Sequence, residues 1–170
     1  MTIDSPYRLR EALEDKDKSQ TGGIRKVLAD AGMDVYTRIN AVGDWYKKTP
    51  RCELKVEIGG ATGHRFVCPD GVLRYDFFNF ALAIQAVTRP KNKSDDNEQH
   101  ETFCATIRGA ISKLGGNASA LDTDNFPQVI IAEFLRDVGT TDHLKESDGI
   151  EYSTMAYAGI VMIRQTAWDN

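Results

Sequence analysis

Between Pro50 and Pro90 the chain reads as two long strands, the second apolar on both of its faces. Cys52, Leu54, Val56 and Ile58 alternate with Arg51, Glu53, Lys55 and Glu57, the period of two that turns one face to a core and the other to water. Gly59, Gly60 and Gly63, followed by Pro69, Asp70 and Gly71, supply turn chemistry for a hairpin, and the second strand restarts at Val72. There Phe78, Phe80, Leu82 and Ile84 fall on one face, and Phe77, Ala81, Ala83 and Val87 on the other. Such a strand needs a covering layer on one side and a second partner for the face built of small residues.

The covering layer is legible further along. Phe103, Ile107, Ala110, Ile111 and Leu114 recur at helical spacing and make one apolar stripe, which Gly115 and Gly116 end. This predicts a helix over roughly Glu98 to Leu114. Before the hairpin, Ser5 and Pro6 open a helical segment over 5–32 that carries Leu9, Leu13, Ile24, Val27 and Leu28. Thr21, Gly22 and Gly23 interrupt it, and Gly32 can close it in a left-handed cap. The stretch MDVYTRINAV fits a first strand, and GDWYKKTP a loop closed by Pro50. After the second helix, Val129 to Val138 reads as a strand, and Met155, Tyr157, Val161 and Ile163 share a face of a last one, with Gly159 marking a bulge or close approach. The polar tracts Lys91–Gln99 and Thr140–Gly149 are surface loops. Helices segregated from an antiparallel sheet define an α+β fold: long hairpin strands, with two helices packed on one face. At 170 residues the chain is expected to be one domain over 1–170, its sheet-plus-helix core at 50–168.

Composition narrows the function classes. A net charge of -4 argues against binding phosphate backbones without sequence preference, which needs a basic face to release counterions. Arg74, Asp76, Asn79 and Gln85 interrupt the longest apolar run, so no membrane span is expected. The opening MTIDSPYRLREALEDKDK lacks the apolar core of a secretory signal and is too acidic for a transit peptide, which fits synthesis in the cytosol. Three cysteines without framework spacing are read as reduced thiols.

Few residues gather as chemistry requires. GGATGH at 59–64 lacks both the GK[ST] ending of a P-loop and a following helix, so it reads as a turn. Cys52, His64 and Cys68 are possible zinc donors, yet they lack a fourth ligand and a CxxC knuckle, and Cys52 already fits the apolar face of its strand. His100 and Cys104 lie four apart on the predicted helix and can meet, as a thiol nucleophile and its base would. The plainer reading puts Cys104 beside the apolar stripe and His100 in a first turn where a polar residue costs nothing. Tyr75, Phe77, Phe78 and Phe80 lack the basic groove that accompanies base-stacking platforms, since Arg74 and Asp76 cancel. No catalytic, cofactor or metal residue is assigned, and none of these patterns requires an enzyme.

The runs RCELKVEIGGATGHR, CPDGVLRYDFFNFALAIQAVTRP, HETFCATIRGAI and DGIEYSTMAYAGIVMIRQTAW resemble the small head-to-tail connection proteins of tailed bacteriophages, tail terminators above all. The resemblance spans roughly residues 50 to 168 and rests on packing patterns rather than catalytic signatures. It implies a structural virion protein of the neck, assembled in the host cytoplasm: a homo-oligomeric ring, commonly a hexamer, that caps the tail tube and joins it to the head connector. Genomic DNA would pass its acidic lumen without specific binding. Another neck, connector or tail-completion subunit is the nearest alternative, followed by a small Cys/His or metal-dependent enzyme and by a monomeric module that binds peptide or nucleic acid.

Overall fold

Two strands of 18 residues each, β2 (Arg51–Cys68) and β3 (Gly71–Thr88), form the spine of the molecule. At about 3.3 Å per residue they extend roughly 60 Å. The computed structural model describes residues 10, 13–14, 23–37, 45–68, 71–89, 98–113, 129–140, 144–146 and 149–165. Around the hairpin stand β1 (Val35–Thr37), β4 (Val129–Thr140), β5 (Leu144–Lys145) and β6 (Glu151–Gln165), with helices α1 (Ile24–Asp30) and α2 (Glu98–Ser112) and a 3-10 turn at Trp45–Lys47. The sheet order is β1-β2-β3-β6-β4, with β5 on β6. Every pairing is antiparallel except β1 with β2. The fold is α+β, as the pattern of elements predicts, and its sheet is mixed.

The hairpin does not turn where its glycines cluster. Strand β2 runs through Gly59–His64, and Cys68 pairs with Gly71, which leaves only Pro69 and Asp70 between the strands. Gly59 and Gly60 stand opposite the single residue Asn79, so the register shifts between Ile58 and Ala61, as in a β-bulge. Glycine is needed there because a Cβ on Gly59 would lie 3.2 Å from the Asn79 carbonyl oxygen. The expected bulge at Gly159 falls on its neighbour instead: Gly159 pairs regularly with Phe80, while β4 slips register beside it, between Phe134 and Arg136.

Helix α1 ends at Gly32, whose φ of +87° suits glycine. The Gly32 amide donates to Ala29 O at 2.9 Å and the Met33 amide to Leu28 O at 3.2 Å, the paired bonds of a Schellman cap. Of the predicted segment 5–32, Arg10, Leu13 and Glu14 are also helical, Leu13 is fully buried, and the remainder before Gly23 lies outside the described residues. Helix α2 covers the predicted Glu98–Leu114 almost fully, and it takes in Glu98 and Gln99 from the tract expected to be a loop. Part of the second tract is also strand: β5 pairs Leu144 with Tyr152 and Lys145 with Glu151.

Among the residues whose side chains are described, the core packs on one face of the sheet, toward the end where β2 begins. Cys52, Leu54 and Val56, then Phe78, Phe80, Leu82, Ile84 and Ala86, then Met155, Tyr157 and Val161 pack with Ile24 and Leu28 of α1 and Cys104, Ile107, Ala110 and Ile111 of α2. Burying a large aliphatic side chain contributes about 1.5–3 kcal/mol, so this cluster fixes both helices on that face. Helix α2, about 22 Å long for its 15 residues, is little more than a third as long as the hairpin.

Candidate functional site

The sequence offers two constellations for chemistry, and the fold separates one and seals the other. Cys52, His64 and Cys68 lie on the single strand β2, twelve and sixteen positions apart. That is about 40 Å and 50 Å of extended chain, whereas zinc donors must all reach within about 2.3 Å of one ion. Cys52 is fully buried, its Sγ donating to Met33 Sδ at 3.4 Å. Burial, with smaller contributions from Cys104 and Asp34, pushes its thiol up to about 12. Among the described residues no three His, Cys, Asp or Glu side chains gather as a metal site.

His100 and Cys104 do meet, with Cys104 Sγ 3.6 Å from His100 Nε2. Both are 2% exposed. The imidazole is committed elsewhere: Nδ1 lies 2.7 Å from Thr88 Oγ1 and Nε2 2.9 Å from Ser153 Oγ. Burial raises the Cys104 thiol against the opposing pull of the Ser153 hydrogen bond and Arg108, the reverse of what activates a nucleophile. The trio His100, Thr88 and Ser153 instead ties the first turn of α2 to the end of β3 and the start of β6. His100 is thus not the solvated first-turn residue expected from sequence. The signal that could have identified it is the fall of Thr88 and Ser153 on the core-facing parity of their strands.

The aromatic run divides between faces. Phe78 and Phe80 are buried in the core, and Phe77 is half-buried on the other side, so the described rings form no shared platform.

What remains accessible is the face of the sheet opposite the helices. Strand pairing sets Lys55, Ala83 and Ala156 in one row, Glu57, Ala81 and Ala158 in the next, and Asn79 with Ile160 beyond. Ala81 and Asn79 are exposed, Ala83, Ala156 and Ala158 half-buried, and Ile160 is 42% exposed. Charged residues flank this face: at the β2 margin Lys55 pairs with Glu57 and Arg51 with Glu53, and on β4 the register sets Glu133 opposite Ile160 and Arg136 opposite Ala158. The centre is a shallow apolar surface of small side chains on a rigid sheet. Among the described residues, β1 pairs with the outer side of β2 only at Cys52–Leu54.

No known protein family matches the chain, and no curated protein matches it. Among solved structures it is similar to a chain of the virion of a native gene transfer agent (GTA) particle, at 11% sequence identity and a TM-score of 0.41, covering 91% of this chain and 94% of that one. That likeness is too distant to assign a function, which has to be read from this chain's own surfaces. No helix among the described residues is long and apolar enough to cross a membrane.

Proposed function

We propose that the protein is a structural virion component of the tailed-phage neck, a tail-terminator-type ring subunit that joins the tail tube to the head connector. The observation that carries this reading is the open face of the sheet. Ala81, Ala83, Ala156, Ala158 and Ile160 present an apolar strip on strands whose other face is already filled by two helices. Small side chains allow another subunit to approach a sheet closely, and rigid backbone holds the surface in one shape without loss of entropy on docking. In the assembly, a neighbouring copy covers this strip. The nearest accessible rival, a thiol enzyme built on Cys104, is disfavoured by the burial and raised pKa of that thiol.

The motifs that resemble head-to-tail connection proteins lie on these same elements: β2, the β3 strand with its surplus face, α2 and β6. A net charge of -4 suits a channel through which DNA slides. Negative-stain microscopy of the purified protein, alone and with tail tubes, tests the proposal. Closed rings or decorated tube ends are expected; dispersed monomers with bare tubes would refute it.

A further inference from the structure

The outward face of α2 is shaped for close contact. His100, Cys104, Ile107, Ala110 and Ile111 turn toward the sheet, so Thr102, Ala105, Gly109 and Ser112, at i, i+3, i+7 and i+10, share the opposite side, and all four are exposed. A Cβ built on Gly109 meets nothing within 4 Å. Among the described residues, therefore, nothing excludes alanine, the better helix former, and the reason for glycine lies outside the subunit. Two hydroxyls on this side are already satisfied by the helix itself: Thr106 Oγ1 donates to Thr102 O at 2.9 Å and Ser112 Oγ to Gly109 O at 3.0 Å. Covering them strands no donor.

The open face of the sheet points the other way, because α2 packs on the core face. Its floor of small side chains along β6 lies between two large exposed ones. Leu144, 63% exposed, is the cross-strand partner of Tyr152, and Ile160 is 42% exposed. From Tyr152 to Ile160 the strand extends about 26 Å, and α2, about 22 Å long, fits between the two. The margins match in charge as well. On β4 the register sets Arg136 opposite Ala158 and Glu133 opposite Ile160, while Glu101 and Arg108, seven apart, are exposed along one flank of α2. A helix running in the direction of β6 brings Glu101 toward Arg136 and Arg108 toward Glu133.

We infer that the outward face of α2 in one copy docks on the open sheet face of the next, with Gly109 over the alanine floor. This contact rests on the ring reading above and names the surface of the neighbouring copy that covers the strip. Its two halves lie on opposite sides of the subunit, so they meet head to tail, and a copy joined through one keeps the other for the next copy. Small side chains on both halves let helix and sheet approach closely, and the flanking charges set the direction of the helix.

Blocking the helix face tests it. Gly109→Leu and Ala105→Arg change exposed positions and are expected to melt close to or above the wild-type temperature. Each is expected to raise the protein concentration needed for assembly at least about tenfold, as an overpacked contact would. Ala81→Arg, on the other half of the contact, is expected to fail alone as well. Mixed in equal amounts with Gly109→Leu, it should give a one-to-one heterodimer by native mass spectrometry that grows no further: its intact helix face meets the intact sheet face of Gly109→Leu, and the remaining surface of each is blocked. If both helix variants assemble as wild type does while Ala81→Arg does not, the open face takes another surface of the neighbour; the inference then falls and the ring reading stands. A mixture that stays monomeric overturns the inference too. If wild type itself never assembles, with or without tail tubes, the ring reading falls and this contact with it.

Discussion

Both faces of β3 carry apolar side chains in sequence, although Asn79 and Gln85 fall on one of them, and the two have different fates. Leu82 and Ile84 are 1% and 0% exposed, whereas their neighbours Ala81 and Ala83 look out from the other side. The difference is volume. Branched side chains fill the space beneath α1 and α2 and hold the subunit together, while alanines leave a surface low enough for a second sheet or helix to lie on. One face is sized for folding, and on the proposed function the other is sized for assembly.

That contrast can be broken from either side. The largest effect is expected on the core face: Ile84→Ala or Leu82→Ala should lower unfolding free energy by about 2–5 kcal/mol, read from urea or guanidinium melts. A loss below about 1 kcal/mol would mean that the helices do not seal that face. His100→Ala should cost about 2–4 kcal/mol, because it strands the Thr88 and Ser153 hydroxyls in the core. Hydrogen exchange should then show the first turn of α2 fraying before the rest of that helix.

A smaller effect comes from Cys52. Its folded pKa lies above its ordinary value, so the folded state retains a proton that the unfolded state releases, and stability declines as pH rises above the ordinary thiol value of 9.0. The loss should reach roughly 1 kcal/mol by about pH 10, and Cys52→Ala should flatten that alkaline slope. Native-state thiol labelling at neutral pH should likewise leave Cys52 and Cys104 unmodified until the protein unfolds. The smallest stability change is expected on the open face: Ala81→Arg, placed opposite Glu57, should move unfolding by no more than about 0.5 kcal/mol while abolishing assembly.

Local pattern made the hairpin, α2 and the core face readable, because alternation in Cys52–Ile58 and the stripe Phe103–Ile111 each report burial directly. Pairing between distant segments was not readable. Nothing in Val35–Thr37 says that it lies parallel to Cys52–Leu54, and nothing in Val129–Thr140 says that β6 inserts between it and β3. The glycines of GGATGH misled because glycine serves a bulge as readily as a turn, and only the partner strand distinguishes the two. His100 misled for a related reason: a first-turn polar residue is solvated unless a sheet carrying hydroxyls lies under it. The small-residue face was visible from the start, and so was the reading that it takes a partner. The hold on the turn at Trp45–Lys47 was hidden, because it depends on Arg51 reaching back to the Tyr46 and Lys48 carbonyls.

Sedimentation velocity of wild type beside Ala81→Arg, at equal concentration and with thermal melts in parallel, tests most directly whether the open face is an assembly face. A closed oligomer for wild type, a monomer for Ala81→Arg and coincident melts are predicted. An Ala81→Arg protein that sediments as the same oligomer as wild type would contradict the account.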